Sequence, residues 1–112
     1  MTENKRVVER CMDGFHKADH EQILSCLTDD VIWEMPGFFR HIGKDAFDKE
    51  LGNGAFEGHH TVTVTRMIEQ GGVVIAEGSV KGDDGTTMVF CDVCEMRDGK
   101  ISKLIAYIPQ QK

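Results

Sequence analysis

The spacing of turn residues after position 58 constrains this chain more than any other feature. Strand-like runs rich in Val, Ile and Thr cover 61–69, 73–81, 86–96 and 100–108, separated only by Gln70-Gly71-Gly72, Gly82-Asp83-Asp84-Gly85 and Asp98-Gly99. Connections this short cannot carry a crossover, so consecutive strands must run antiparallel as a meander. Before that boundary the texture is helical. Val7, Val8, Cys11, Met12, Phe15 and Ala18 recur at three and four, which predicts a helix over 7–18. Asp19 can cap a second helix because Gln22 sits three residues on, and Ile23, Leu24 and Leu27 form its buried stripe, ending near Thr28-Asp29-Asp30.

Residues 31–35 are β-branched and aromatic and stop at Pro36-Gly37, so they read as a short strand followed by a loop through Phe38 and Phe39. A further helix is expected over 44–51, with Phe47 and Leu51 on one face and Gly52 at a left-handed C-terminal position. Helices first and sheet afterwards indicate an α+β domain, its helices gathered on one face of a curved antiparallel sheet. No internal repeat or low-complexity segment interrupts this order.

At 112 residues and 12.5 kDa the chain is a single domain, 1–112, large enough to bury a core without disulfide staples. Its net charge of −6 has the wrong sign for neutralising phosphates, so nucleic acid and anionic membranes are not expected partners. No apolar stretch of signal-peptide length opens the chain, and none approaches the roughly 20 residues of a membrane span, so a cytoplasmic protein is expected. Cys11, Cys26, Cys91 and Cys94 are then expected as free, mostly buried thiols.

The run Met88-Val89-Phe90-Cys91-Asp92-Val93-Cys94 is apolar at both parities, the pattern of a strand covered on both faces, and Asp92 is its one charge. A buried carboxylate must be paired, hydrogen-bonded or kept protonated. The register of the last hairpin decides which. A two-residue turn at Asp98-Gly99 sets Asp92 opposite Ile105, with Lys103 and Tyr107 at the diagonals, as a structural ion pair. A three-residue loop with left-handed Gly99 sets it opposite Leu104, flanked by Ala106, and aims it into an apolar cavity. Local turn chemistry favours the first, burial of the carboxyl the second, and both stay open.

The order helix, Ala18-Asp19 turn, helix, Asp29-Asp30, strand, then a meander containing Asp92 and Asp98-Gly99-Lys100-Ile101 resembles the nuclear transport factor 2-like superfamily. Within it, the chain is similar to SnoaL-like and ketosteroid-isomerase-like proteins over nearly its whole length. That resemblance implies a cone-shaped, cystatin-like α+β domain whose helices close a curved sheet over an apolar pocket. It also implies homodimers through the outer sheet face, which the apolar Val89, Cys91 and Val93 would suit. Asp92 falls on the position that resembles the protonated aspartic acid of the isomerase oxyanion hole. The isomerase base corresponds to Met35, which cannot take a proton, and the oxyanion-hole tyrosine to Cys11, a poor donor. Two of three catalytic positions are lost, and with them steroid isomerisation by that mechanism.

The resemblance also turns the Val73, Ile75 and Glu77 face of the second meander strand toward the cavity. Glu77 beside Asp92 would then act as base while Asp92 acts as acid, or else Glu77 pairs with Arg66 or Lys81 at a strand edge. Of His59 and His60, adjacent at a strand start, at most one can enter the pocket as a base. Trp33 and Met35 on the first strand, Cys11 and Phe15 on helix one, and Phe47 and Phe56 beyond it are candidate ligand-contacting residues; Phe90, Leu104 and Ile108 complete the set from the last strands. His41 sits near the expected pocket mouth, and His16 and His20 near the end of helix one, where cationic charge suits the dipole. The C-x-x-C spacing of Cys91 and Cys94 puts the thiols on opposite faces of a strand, so no metal is expected, and no glycine-rich phosphate loop is present, so no cofactor is expected. Two functions fit: acid/base chemistry of isomerase, cyclase or hydratase type on a small hydrophobic carbonyl compound, with Asp92, Glu77 and His60 as catalytic residues, or a non-catalytic module that binds such a ligand or merely dimerises.

Overall fold

The computed structural model describes residues 1–53 and 60–109. Helix α1 (Glu3–Lys17) begins where the Thr2 hydroxyl accepts from the Lys5 amide at 3.2 Å and ends at left-handed Ala18, so it starts a turn earlier than its apolar stripe. Asp19 caps α2 (His20–Leu24) as expected, accepting from the Gln22 amide at 3.1 Å. Gly14 lets the two helices touch: a Cβ there would meet the Ile23 side chain at 2.7 Å.

The second helix is shorter than its pattern because the chain is drawn into strand β1 (Leu27–Met35) by pairing with the end of the sequence. Leu27 lies opposite Ile101, and the Ile101 amide donates to the Cys26 carbonyl at 2.8 Å. Residues expected as loop instead form edge strand β2 (Phe39–Ile42), antiparallel to β1 after a turn closed by the Phe38 amide on the Met35 carbonyl, 2.8 Å. Helix α3 (Lys44–Leu51) matches its prediction, although Gly52, at φ −80°, is right-handed.

Strands β3 (Thr61–Gln70), β4 (Val73–Lys81), β5 (Thr87–Arg97) and β6 (Lys100–Tyr107) form the meander. Together the strands make one open six-stranded sheet in the order β2-β1-β6-β5-β4-β3. It is mixed rather than purely antiparallel, because β1 joins β6 in parallel. Parallel neighbours need a long crossover, here everything from β2 through β5, and no local sequence signal reports such a pair. Bulges at Thr65 in β3 and Ser102 in β6 bend the sheet. The chain is an α+β fold with helices on one face: α1 lies across β3, β4 and β6, and α3 against β1 and β2.

The core sits between. Trp33 stacks on Phe47 with ring centroids 4.1 Å apart, while Phe15 and Phe39 meet it edge-on at 5.9 and 5.0 Å. Leu27, Ile101, Leu104, Val74 and Ala76 close the sheet side. On the opposite face of the sheet, Ile68, Val89 and Tyr107 are exposed. Among the described residues no helix is long and apolar enough to cross a membrane.

Candidate functional site

The register of the last hairpin sets the site. Asp98 and Gly99 both have positive φ, 51° and 77°, the two-residue turn that local chemistry favours, and Arg97 faces Lys100. One step along, β6 carries an extra residue: Met96 pairs with Ile101 but Glu95 pairs with Lys103, so Ser102 is bulged out and its hydroxyl donates to the Glu95 carbonyl at 3.0 Å. The slip reverses parity for everything beyond it. Asp92 therefore lies opposite Ala106 rather than Ile105 or Leu104, and it points inward with Leu104 and Ala106. The expected turn and the expected orientation of the alternative loop both occur, joined by a bulge that neither reading contained.

Asp92 borders a cavity of about 150 Å³ between α1 and the inner sheet face. Met12 and Phe15 of α1 form one wall, and Trp33 and Met35 of β1 another. Val62 and Val80 close the β3–β4 side, with His60 just ahead of β3. Met88 and Phe90 share Asp92's parity on β5, and Leu104, Ala106 and Ile108 complete the lining. Only 7% of Asp92 is exposed, and among the described residues no side chain makes an ion pair or hydrogen bond with it. Lys103, the partner foreseen for an ion pair, pairs across the outer face with Glu95. Burial alone pushes the Asp92 carboxyl up to about 7.

Of the residues singled out from sequence, Asp92, His60, Trp33, Met35, Phe15, Phe90, Leu104 and Ile108 share this cavity. Glu77 does not. The Val73, Ile75 and Glu77 face is the outer one, since Val74, Ala76 and Gly78 occupy the alternate, inward positions, and Glu77 is bound to Arg66, whose Nε donates at 2.5 Å. Cys11 and Phe47 are also displaced from the lining. Cys11 is fully buried against Cys26, whose hydrogen bond, with burial, holds its thiol well above the usual range. Phe47 lies behind Trp33 and supports the ring that lines the cavity. Phe56 and His59 fall outside the described residues.

Val62, Val80 and Met88 were missed, although the strand parity that puts Asp92 inward carries Met88 with it. The remaining histidines are otherwise engaged. His41 stacks on Phe39 at 4.7 Å and contacts Glu50 at 2.7 Å, His16 Nδ1 accepts from the Val62 amide at 3.0 Å and ties α1 to β3, and His20 contacts Asp48 at 3.2 Å. Cys91 is half-buried on the outer face, whereas Cys94 is buried inside.

The sequence profile of the SnoaL-like domain matches residues 8–104. The chain belongs to the SnoaL-like domain family. Solved structures of the same fold include a nuclear transport factor 2-like protein of unknown function from Burkholderia pseudomallei, 20% identical with a TM-score of 0.87, covering 97% of this chain and 92% of that one. TerC, co-crystallised with polyporic acid, is 26% identical with a TM-score of 0.83 over 96% of this chain and 92% of its own. An LEH-like epoxide hydrolase from M. tuberculosis is 24% identical with a TM-score of 0.81 over 96% of this chain and 83% of its own. No curated protein matches. This SnoaL-like chain thus shares its fold with an epoxide hydrolase among others, and the fold alone assigns it no activity.

Proposed function

We propose that the cavity binds a small, neutral, hydrophobic carbonyl compound and catalyses proton transfer on it. Asp92, protonated, donates to the carbonyl oxygen as enolate-like charge develops there, and His60 removes the proton from the adjacent carbon and returns it along the conjugated chain. One observation carries the reading: Asp92 is inward-facing on a cavity wall, and among the described residues no side chain pairs or hydrogen-bonds with it. A carboxyl in that setting is a donor seeking an acceptor, and an oxyanion supplies one. TerC's co-crystal with polyporic acid supports ligand occupancy in a relative. With Glu77 on the outer face, the base falls to His60 alone.

A second reading is favoured by Met35 and Cys11, which stand where the resembling isomerases carry a base and a tyrosine: the cavity then binds its ligand without turning it over. Screening small enones and β-keto compounds against the protein and Asp92→Asn separates the two. The enzyme reading expects turnover that Asp92→Asn abolishes; binding without turnover, unchanged in Asp92→Asn, supports the module. The outer face, with Ile68, Val89 and Tyr107 exposed, is proposed as a homodimer surface, and sedimentation of Val89→Lys against the unaltered chain tests it.

A further inference from the structure

Asp92 is flanked on both neighbouring strands by the smallest side chain a strand normally carries. In the sheet register Ala76 of β4 and Ala106 of β6 lie directly beside it, and opposite side chains on one face of such a ladder sit about 5 Å apart. Of the two, Ala106 lines the cavity, and a larger residue there would crowd the carboxyl from the β6 side. The next residue inward on β4 is Gly78, and the Phe90 ring lies over it, 2.9 Å from where a Cβ would stand. Phe90 is thereby held down beside the carboxyl instead of across it. On the cavity side, Ala106 is the small residue that leaves the space over Asp92 open.

The volume and the wall limit what can fill that space. A cavity of about 150 Å³ has the volume that holds one benzene-sized ring. Apart from Asp92 and His60 the wall is thioether, aromatic and aliphatic, with Met12, Met35 and Met88 able to adjust around a ring. A ligand carboxylate would be desolvated against an acid, and a ligand cation would require the buried carboxylate to ionise; a neutral acceptor requires neither.

We propose that the site takes a neutral ketone of a single six-membered ring, its oxygen on Asp92 and its ring edge over Ala106, and that Ala106 is the residue that sets this size. The proposal rests on the acid/base reading above and adds the substrate class to it. Carbons beyond the first ring exceed the volume of the cavity, whereas a single ring fits within it.

The test uses methyl-labelled methionine in the intact protein at pH 6, titrated with cyclohexanone, methylenecyclohexane, 2-decalone and cyclohexylamine while the Met12, Met35 and Met88 signals are followed by NMR. Cyclohexanone is expected to shift all three saturably and to bind about tenfold more tightly than methylenecyclohexane, which has its shape but not its acceptor. Equal binding of 2-decalone overturns the size limit and leaves the role of Asp92 standing. Equal binding of methylenecyclohexane removes the Asp92 hydrogen bond and, with it, the proposed chemistry. Tighter binding of cyclohexylamine overturns the neutral class. Ala106→Leu is expected to weaken cyclohexanone at least about tenfold, Ala106→Val to act in the same direction, and undiminished binding in either, once folded, removes Ala106 as the determinant. The ligand series on the unaltered chain decides the substrate class even where neither variant folds.

Discussion

Asp92 faces Ala106 across the β5–β6 ladder only because Ser102 is one residue too many in β6. Without that bulge the same two-residue turn would send Leu104 and Ala106 to the outer face and bring Lys103 and Ile105 inward. The carboxyl would then have had a lysine for a neighbour and no cavity.

Deleting Ser102, as opposed to pairing it in the ladder, should remove the bulge and leave the partners beyond it unchanged. With the two-residue turn kept, Lys103 then follows Ile101 directly and still faces Glu95, so Asp92 keeps Ala106 opposite it and the cooperative unfolding transition in urea is expected to survive. Ser102→Ala keeps the bulge and removes only the hydroxyl bond to the Glu95 carbonyl, so it should cost about 1 kcal/mol. Loss of the cooperative transition in the deletion variant would show that the pairing beyond Ile101 does not follow from the two-residue turn.

Stability should depend on pH through Asp92 in the direction opposite to that of an ion-paired acid. The unfolded carboxyl loses its proton near 4 and the folded one near 7, so between these values the native state binds more protons and stability falls as pH rises. The penalty is absent below about 4 and complete above about 7, where it amounts to about 4 kcal/mol. Exposed Asp13 and Asp30, held low by Lys17 and Arg97, act the other way at lower pH, so the comparison must be made against Asp92→Asn. The difference between the two proteins' urea stabilities should grow in favour of Asp92→Asn from pH 5 to pH 8. A constant difference would mean that the carboxyl titrates normally.

Gly78→Ala places a methyl 2.0 Å from the Thr63 carbonyl oxygen and against the Phe90 ring. Backbone on one side and a cavity-lining ring on the other leave no cheap relaxation, so a loss of about 3 kcal/mol is expected from urea unfolding. Gly71→Ala, in the β3–β4 turn with open space around it, should cost less and act only through its positive φ.

Glu77→Gln tests the outer-face assignment. Its partner Arg66 is exposed, so stability should change by less than about 1 kcal/mol, and ligand binding in the cavity should not change. A Glu77→Gln variant that lost turnover of a carbonyl substrate while keeping its affinity would return Glu77 to the chemistry.

What the sequence determined by itself is everything carried by local periodicity and turn chemistry. The helical stripe of α1, the Asp19 cap, the hairpin turns and the four meander strands were all legible because each is decided within a few residues of itself. So was Asp92 as the one charge in a doubly apolar strand. Tertiary structure decided the rest. The parallel pairing of β1 with β6 shortened α2, and no residue in those segments announces a partner about 70 positions away; β2 pairs instead with its sequence neighbour β1. The face of Glu77 was misassigned because parity fixes which residues share a side but not which side the helices will cover. The environment of Asp92 turned on a single bulged serine, since a strand's side-chain period of two lets one extra residue exchange its inner and outer faces.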